Sequence, residues 1–264
     1  MAELVWDATG VRRYETGVDR GVLYPHDGPA VVWNGLTSME EETDTELTSY
    51  YLDGVKFLQN LAPGEFSGKL SAFTYPDALD RLLGIVEVAP GLSFHEQPPK
   101  SFDLSYRTRI GNDVDAEAGY RIHILYNILA EPDSADFNSF SDKAEAVEFS
   151  WSLTGTPPLI GGYRPTVLVT IDSTKTNPDV LSAIEDIIYG SDEAQPRMPS
   201  VSELKELFNA LGALIITDNG DGTWTATDLA NDYITMDSAT EFTITGADAD
   251  FLDATTYEIT TTNP

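Results

Sequence analysis

The chain has 264 residues, no cysteine and a formal net charge of −29, with a pI near 4.1. The lack of cysteine excludes disulfides and thiolate metal sites. So acidic a balance argues against a surface that grips nucleic acid, which needs clustered Lys and Arg, but suits a surface that a polyanion must pass without sticking.

The length suits one large β-domain, or one domain with a small appendage, and can bury a sizeable core unaided. No apolar run approaches the roughly 18 residues of a bilayer span. Residues 1–7 hold no basic stretch followed by an apolar one, so the expectation is a protein without a secretion signal, made in a cytoplasm.

In chain order, Val22-Leu23-Tyr24 and Ala30-Val31-Val32-Trp33 read as short strands set off by Pro25, Pro29 and Gly35. An acidic stretch from Met39 to Glu46 follows, and it reads as part of a solvated loop over residues 35–46. Residues 47–58 read as a hairpin, because Asp53-Gly54 suits the positive φ angles of a type I′ turn. Phe66, Leu70 and Phe73 mark a further strand, and a short helix lies behind Pro76, stopped by Gly84.

Three longer strands come next, over residues 102–110, 119–129 and 147–153. The third alternates Val147, Phe149, Trp151 and Leu153, and the period of two places one face of each strand in the core. Residues 164–171 read as another strand, with Pro165 near its start. Asn177, Pro178 and Asp179 form a helix start, Val180, Leu181, Ile184, Ile187 and Ile188 its apolar face, and Gly190 its end. A second helix is predicted over residues 201–211, capped by Ser200 or Ser202.

From Glu206 to Pro264 there is no Lys or Arg, but there are 11 acidic residues. Residues 214–217, 223–227, 242–245 and 257–260 read as strands of a small all-β unit. The boundary is placed at Leu211, with a main domain over residues 1–211 and an acidic β-domain over residues 212–264.

No chemistry-bearing motif is present. His26, His95 and His123 are scattered, and His123 sits inside an alternating strand, where packing on the sheet is expected. Gly68-Lys69 is followed by Leu70, so it does not complete a phosphate-cradling loop. Thr217 to Gly222 resembles part of a calcium loop through Asn219, Asp221 and Gly222, but the first ligand position is Thr217 and the twelfth is Asp228. A β-turn is the better reading. No catalytic, cofactor or metal residue is expected, and the chain is not expected to be an enzyme.

Four groups of segments also resemble, in order, the major tail tube proteins of siphophages, particularly those infecting actinobacteria. They are Trp6 to Gly10 with Arg13-Tyr14-Glu15, Gly17 to Pro25 and Val32 to Ser38; then Tyr51 to Phe57, Gly64-Glu65-Phe66 and Ala72 to Asp77. Phe102 to Asn112 with Gly119 to Asn127 make the third group, and Phe149-Ser150-Trp151 with Ile171 to Pro178 the fourth. The set spans about residues 4 to 200 and leaves out the acidic C-terminal unit.

The resemblance implies a mainly β chain, a tail-tube-type β-sandwich or barrel with flanking α-helices. It implies a virion structural protein, assembled in the host cytoplasm, whose subunits close into rings, usually hexamers. The rings stack around a tape-measure protein, meet a tail terminator and a distal tail protein, and conduct phage DNA without binding it specifically. The family carries no catalytic residues. Within this reading the acidic segment with Glu40, Glu41, Glu42 and Asp44 is expected to contact the adjacent ring, and residues 212–264 to lie on the tube exterior. The competing readings are a head–tail joining or decoration protein and, more remotely, a salt-adapted secreted carbohydrate-binding protein.

Overall fold

The computed structural model describes residues 6, 9–44, 47–61, 65–134, 137, 146–192, 194–210, 215–218, 224–227, 233–236 and 242–245. Two compact units are present: Met1–Lys175 with Ile188–Met198, and Thr176–Ile187 with Pro199–Pro264. Along the first run β1 (Tyr14–Pro25), β2 (Val31–Trp33), β3 (Leu36–Asp44), β4 (Leu47–Leu52), β5 (Val55–Leu61) and β6 (Glu65–Ala72), each a strand, precede helix α1 (Ala78–Leu82). Strands β7 (Val86–Ala89), β8 (Leu92–Phe94), β9 (Phe102–Gly111), β10 (Gly119–Pro132), β11 (Phe149–Gly155) and β12 (Leu168–Asp172) follow.

Eight of these strands form one antiparallel sheet in the order β2-β1-β9-β10-β11-β6-β3, with β12 also paired to β10. β10 changes partner along its length: residues 121–125 face β12, and residues 128–132 face β11. The change falls at a bulge opposite β9, between Leu125 and Ile128, where Asn127 adopts φ 48°. Asp103 Oδ1 accepts the Asn127 N–H at 2.7 Å and holds the bulge. β1 is irregular too, with register shifts around Asp19 and Arg20 at φ 50°. Such irregularities bend strands and increase twist.

The bent sheet curls over its own apolar face. Trp33 on β2 meets Trp151 on β11 edge to face, and both belong to one cluster with Leu23, Leu70, Phe102, Leu104, Leu125, Ile128 and Leu153. This is a sandwich-like β-fold closed by large side chains. α1 begins behind Pro76 and ends before Gly84, as predicted, and buries Leu79 and Leu82. A Cβ at Gly84 would lie 2.0 Å from the Gln97 carbonyl oxygen, and φ there is 80°, so only glycine fits.

Several expectations hold in detail. Asp53 and Gly54 adopt φ 49° and 79° and join β4 to β5, as a type I′ turn requires. Others are corrected. The acidic stretch read as a loop is strand β3, with Glu40 opposite Lys69, Glu41 opposite Gly68 and Glu42 opposite Ser67. An edge strand can carry consecutive acids, because alternate carboxylates reach solvent while the one between finds partners inside. The predicted strand over 164–171 begins only at Leu168, since Pro165 has no N–H to pair. Phe73 lies beyond β6 and is exposed. In the middle of β9 and β10 both faces are covered: Leu104, Ser105 and Tyr106 are all buried, as are Ile122 to Tyr126, where one buried face was expected.

In the second unit, α2 (Pro178–Tyr189, its last two residues belonging to the first unit) starts at Asn177. The Asn177 side chain accepts the Asp179 N–H at 2.8 Å. Helix α3 (Val201–Ala210) starts at Ser200, whose hydroxyl oxygen accepts the Glu203 N–H at 3.1 Å, so Ser200 rather than Ser202 is the cap. Strands β13 (Ile215–Asp218), β14 (Trp224–Thr227), β15 (Tyr233–Met236) and β16 (Phe242–Thr245) form a four-stranded antiparallel meander. β15 was not predicted. The calcium-like Asn219, Asp221 and Gly222, and the strand predicted over 257–260, lie outside the described residues.

Candidate assembly surface

Two hairpins stand apart from the eight-stranded sheet, β4–β5 and β7–β8. On β4–β5, Tyr50, Tyr51, Leu52, Val55, Phe57 and Leu58 are all exposed, with Phe57 at 72%. Consecutive strand residues point to opposite faces, so both faces of this ribbon are apolar. A two-stranded ribbon has no interior of its own and is marginal in water. Exposed apolar area of this kind marks an interaction surface. The β7–β8 hairpin repeats the pattern, with Val86, Val88, Leu92 and Phe94 exposed around a turn at Pro90-Gly91. Sequence reading missed this second hairpin, although Val86 and Val88 alternate, as do Leu92 and Phe94, on either side of a Pro-Gly turn signal.

The acidic edge strand β3 precedes β4 in the chain. β3 pairs with β6 on one side, and the sheet order ends there. The strand splits its acids between two environments. Glu40 and Glu42 point to one face of the strand and Glu41 to the other, where its side chain is 28% exposed. Tyr106 donates its hydroxyl hydrogen to Glu41 Oε1, and His123 Nδ1 lies 2.6 Å from the same oxygen. His123 stacks on Tyr106 at 4.7 Å, and its Nε2 lies 3.0 Å from the Thr108 hydroxyl. Burial pushes the Glu41 carboxyl up, but the hydrogen bonds from His123 and Tyr106 outweigh it and hold the group below the usual carboxylate range. Burial and the adjacent carboxylate push the Tyr106 phenol up. Of the four predicted contact residues, therefore, Glu40, Glu41 and Glu42 share one strand but not one face. Asp44, which ends β3, sits opposite Glu65. His123 is packed on the sheet, as expected.

A second charged cluster occupies the N-terminal half of β1. Arg107 grips Asp19 through two bonds, Nε to Oδ1 at 2.7 Å and Nη2 to Oδ2 at 3.1 Å, and Arg109 adds a third. The Arg107 hydrogen bond is the main reason the Asp19 carboxyl lies below its ordinary range. Arg121 joins Glu15 to Asp172. These ion pairs tie β1, β9, β10 and β12 together. Among the described residues no three His, Asp or Glu side chains converge as metal ligands, and no helix is long and apolar enough to cross a membrane.

No protein-family model matches the sequence, and no curated protein does either. Solved structures similar to it include the sheath-tube complex of an extracellular contractile injection system in its extended state, with 13% identity and a TM-score of 0.34, covering 64% of this chain and 94% of that one. The tube-terminating cap of the anti-feeding prophage is similar at 11% identity and TM-score 0.34, covering 66% and 97%. The sheath/tube terminator of the same kind of injection system is similar at 9% and 0.33, covering 64% and 99%.

Proposed function

We propose that this chain is a virion structural protein, the major tail tube subunit of a long-tailed phage. Its rings stack into the conduit for DNA. The observation that carries this is the β4–β5 ribbon, apolar on both faces and separate from the sheet. A neighbouring subunit that covers Val55, Phe57 and Tyr51 removes this surface from water, whereas a monomer leaves it exposed. The ordered sequence resemblance supplies the particular assembly. Ring closure, hexameric in the family, joins unlike patches of identical subunits. The charge of −29 suits a lumen that phosphate must traverse without sticking. The implied partners are further copies of the chain, a tape-measure protein, a tail terminator and a distal tail protein, and no catalytic role is assigned.

Within this reading β3 meets the adjacent ring through Glu40 and Glu42, and residues 212–264 decorate the exterior. Because residues 40–44 are a sheet strand, substitution tests the ring contact better than deletion. Glu40→Lys with Glu42→Lys should alter ring stacking, and truncation after Leu211 should spare polymerisation. The deciding experiment is negative-stain electron microscopy of the full chain across protein and salt concentrations. Hollow tubes with an axial repeat support the proposal. Discrete single rings point to a joining protein, and monomers at every concentration, even with tail-tip components added as initiator, overturn it.

A further inference from the structure

His123 is buried between three strands, and its hydrogen bonds constrain where protons sit. Glu41 Oε1 already accepts the Tyr106 hydroxyl hydrogen, and as a carboxylate it has no proton to give, so His123 Nδ1 carries the hydrogen of their 2.6 Å contact. In the neutral ring Nε2 is then an acceptor, filled by the Thr108 hydroxyl hydrogen at 3.0 Å. That hydroxyl also lies 3.2 Å from Glu15 Oε2, and it has one hydrogen for two acceptors. When the ring takes a second proton from solvent, Nε2–H donates to Thr108 Oγ, and the Thr108 hydrogen turns to Glu15. Every contact is then made, and the Glu41 bond becomes charge-assisted on both sides.

We propose that His123, Thr108 and Glu41 form a proton-responsive latch that fastens the edge strand β3 to the sheet. Glu41 is the β3 side chain in the latch. Among the described residues, the other charged or titratable groups linked to it are Tyr106 on β9, Arg121 on β10, Glu15 on β1 through Thr108 and, through Arg121, Asp172 on β12. Three carboxylates and one guanidinium thus surround the site, an excess of negative charge that a second proton on His123 offsets. Taking up that proton tightens β3. Further acidification, which protonates Glu41, releases it. The consequence for assembly rests on β3 being the ring-contact strand, but the latch itself does not.

The test uses the full chain, dilute enough to stay unassembled, from about pH 8 to about pH 5. The ring nitrogen shifts of His123 report its proton, and amide exchange over residues 39–42, relative to β9, reports the latch. Protection should rise about fivefold in step with His123 protonation, as the Glu41 bond gains a charged donor beside its charged acceptor. E41Q and H123Q should each remove the step. E15Q should move the His123 titration more in the wild-type background than in a T108V background. Flat protection while His123 titrates, a His123 that holds one state throughout, or a titration blind to E15Q overturns the latch. Tube formation is scored separately, so failure to polymerise bears on the tail tube reading alone.

Discussion

The rings of Trp33 and Trp151 lie 5.3 Å apart at an interplanar angle of 77°, although their strands sit far apart in the order of the sheet. The contact exists because the sheet bends back on itself, and Trp33 Nε1–H seals it by donating to the Thr74 carbonyl at 2.9 Å. Trp33 is 2% exposed. Trp33→Ala removes this packing and strands a carbonyl, so it should cost about 3–5 kcal/mol. Urea unfolding of the unassembled chain checks it. A loss below about 1 kcal/mol would mean that the curl does not depend on the pair.

The β4–β5 ribbon makes the opposite prediction. Phe57 stands 72% exposed on a ribbon separate from the main sheet. Phe57→Asp should leave the melting temperature nearly unchanged, within about 0.5 kcal/mol of stability, and abolish polymerisation. Thermal unfolding and sedimentation together check it. Tubes that still form would move the assembly surface elsewhere.

These two outcomes separate what was legible in the sequence from what was not. The Asp53-Gly54 turn, the Asn177-Pro178 helix start and the strands at Phe102 and Gly119 were legible, because each is set by neighbours a few residues away. β3 was not, because consecutive Glu residues carry a loop's composition. What makes a strand of them is β6, which places Lys69 beside Glu40, and a His123 that is 82 positions from Glu41. The two-sided burial of β9 and β10 was hidden for a related reason: Ser105 and His123 are polar in sequence and buried only through partners brought by other strands.

Asp19 sets an acid limit on the first unit. Its carboxyl is held low by Arg107 and then Arg109, so the folded state favours the charged form more than the unfolded chain does. A group depressed in this way stabilises fully above the ordinary Asp range, near pH 3.9. That stability is lost as pH falls through the lower folded value. Asp19→Asn should therefore destabilise the chain at pH 7 by about 1–3 kcal/mol and flatten the acid limb of its stability curve. Urea midpoints across pH check it. A variant whose acid limb matches wild type would assign the acid response to other carboxylates.

Charge governs the last expectation. Each subunit carries −29, and the proposed ring would bring that charge close. Repulsion between exposed charges is screened over about 8 Å at physiological salt and over about 30 Å at 0.01 M. Burial of the apolar hairpins is nearly indifferent to that change, and strengthens in salts excluded from protein surfaces. Added salt thus weakens what opposes assembly and spares what drives it. Polymerisation followed by light scattering should be faster at high salt than at low. The reverse order would mean that ion pairs between subunits, rather than Phe57 and its neighbours, hold the assembly together.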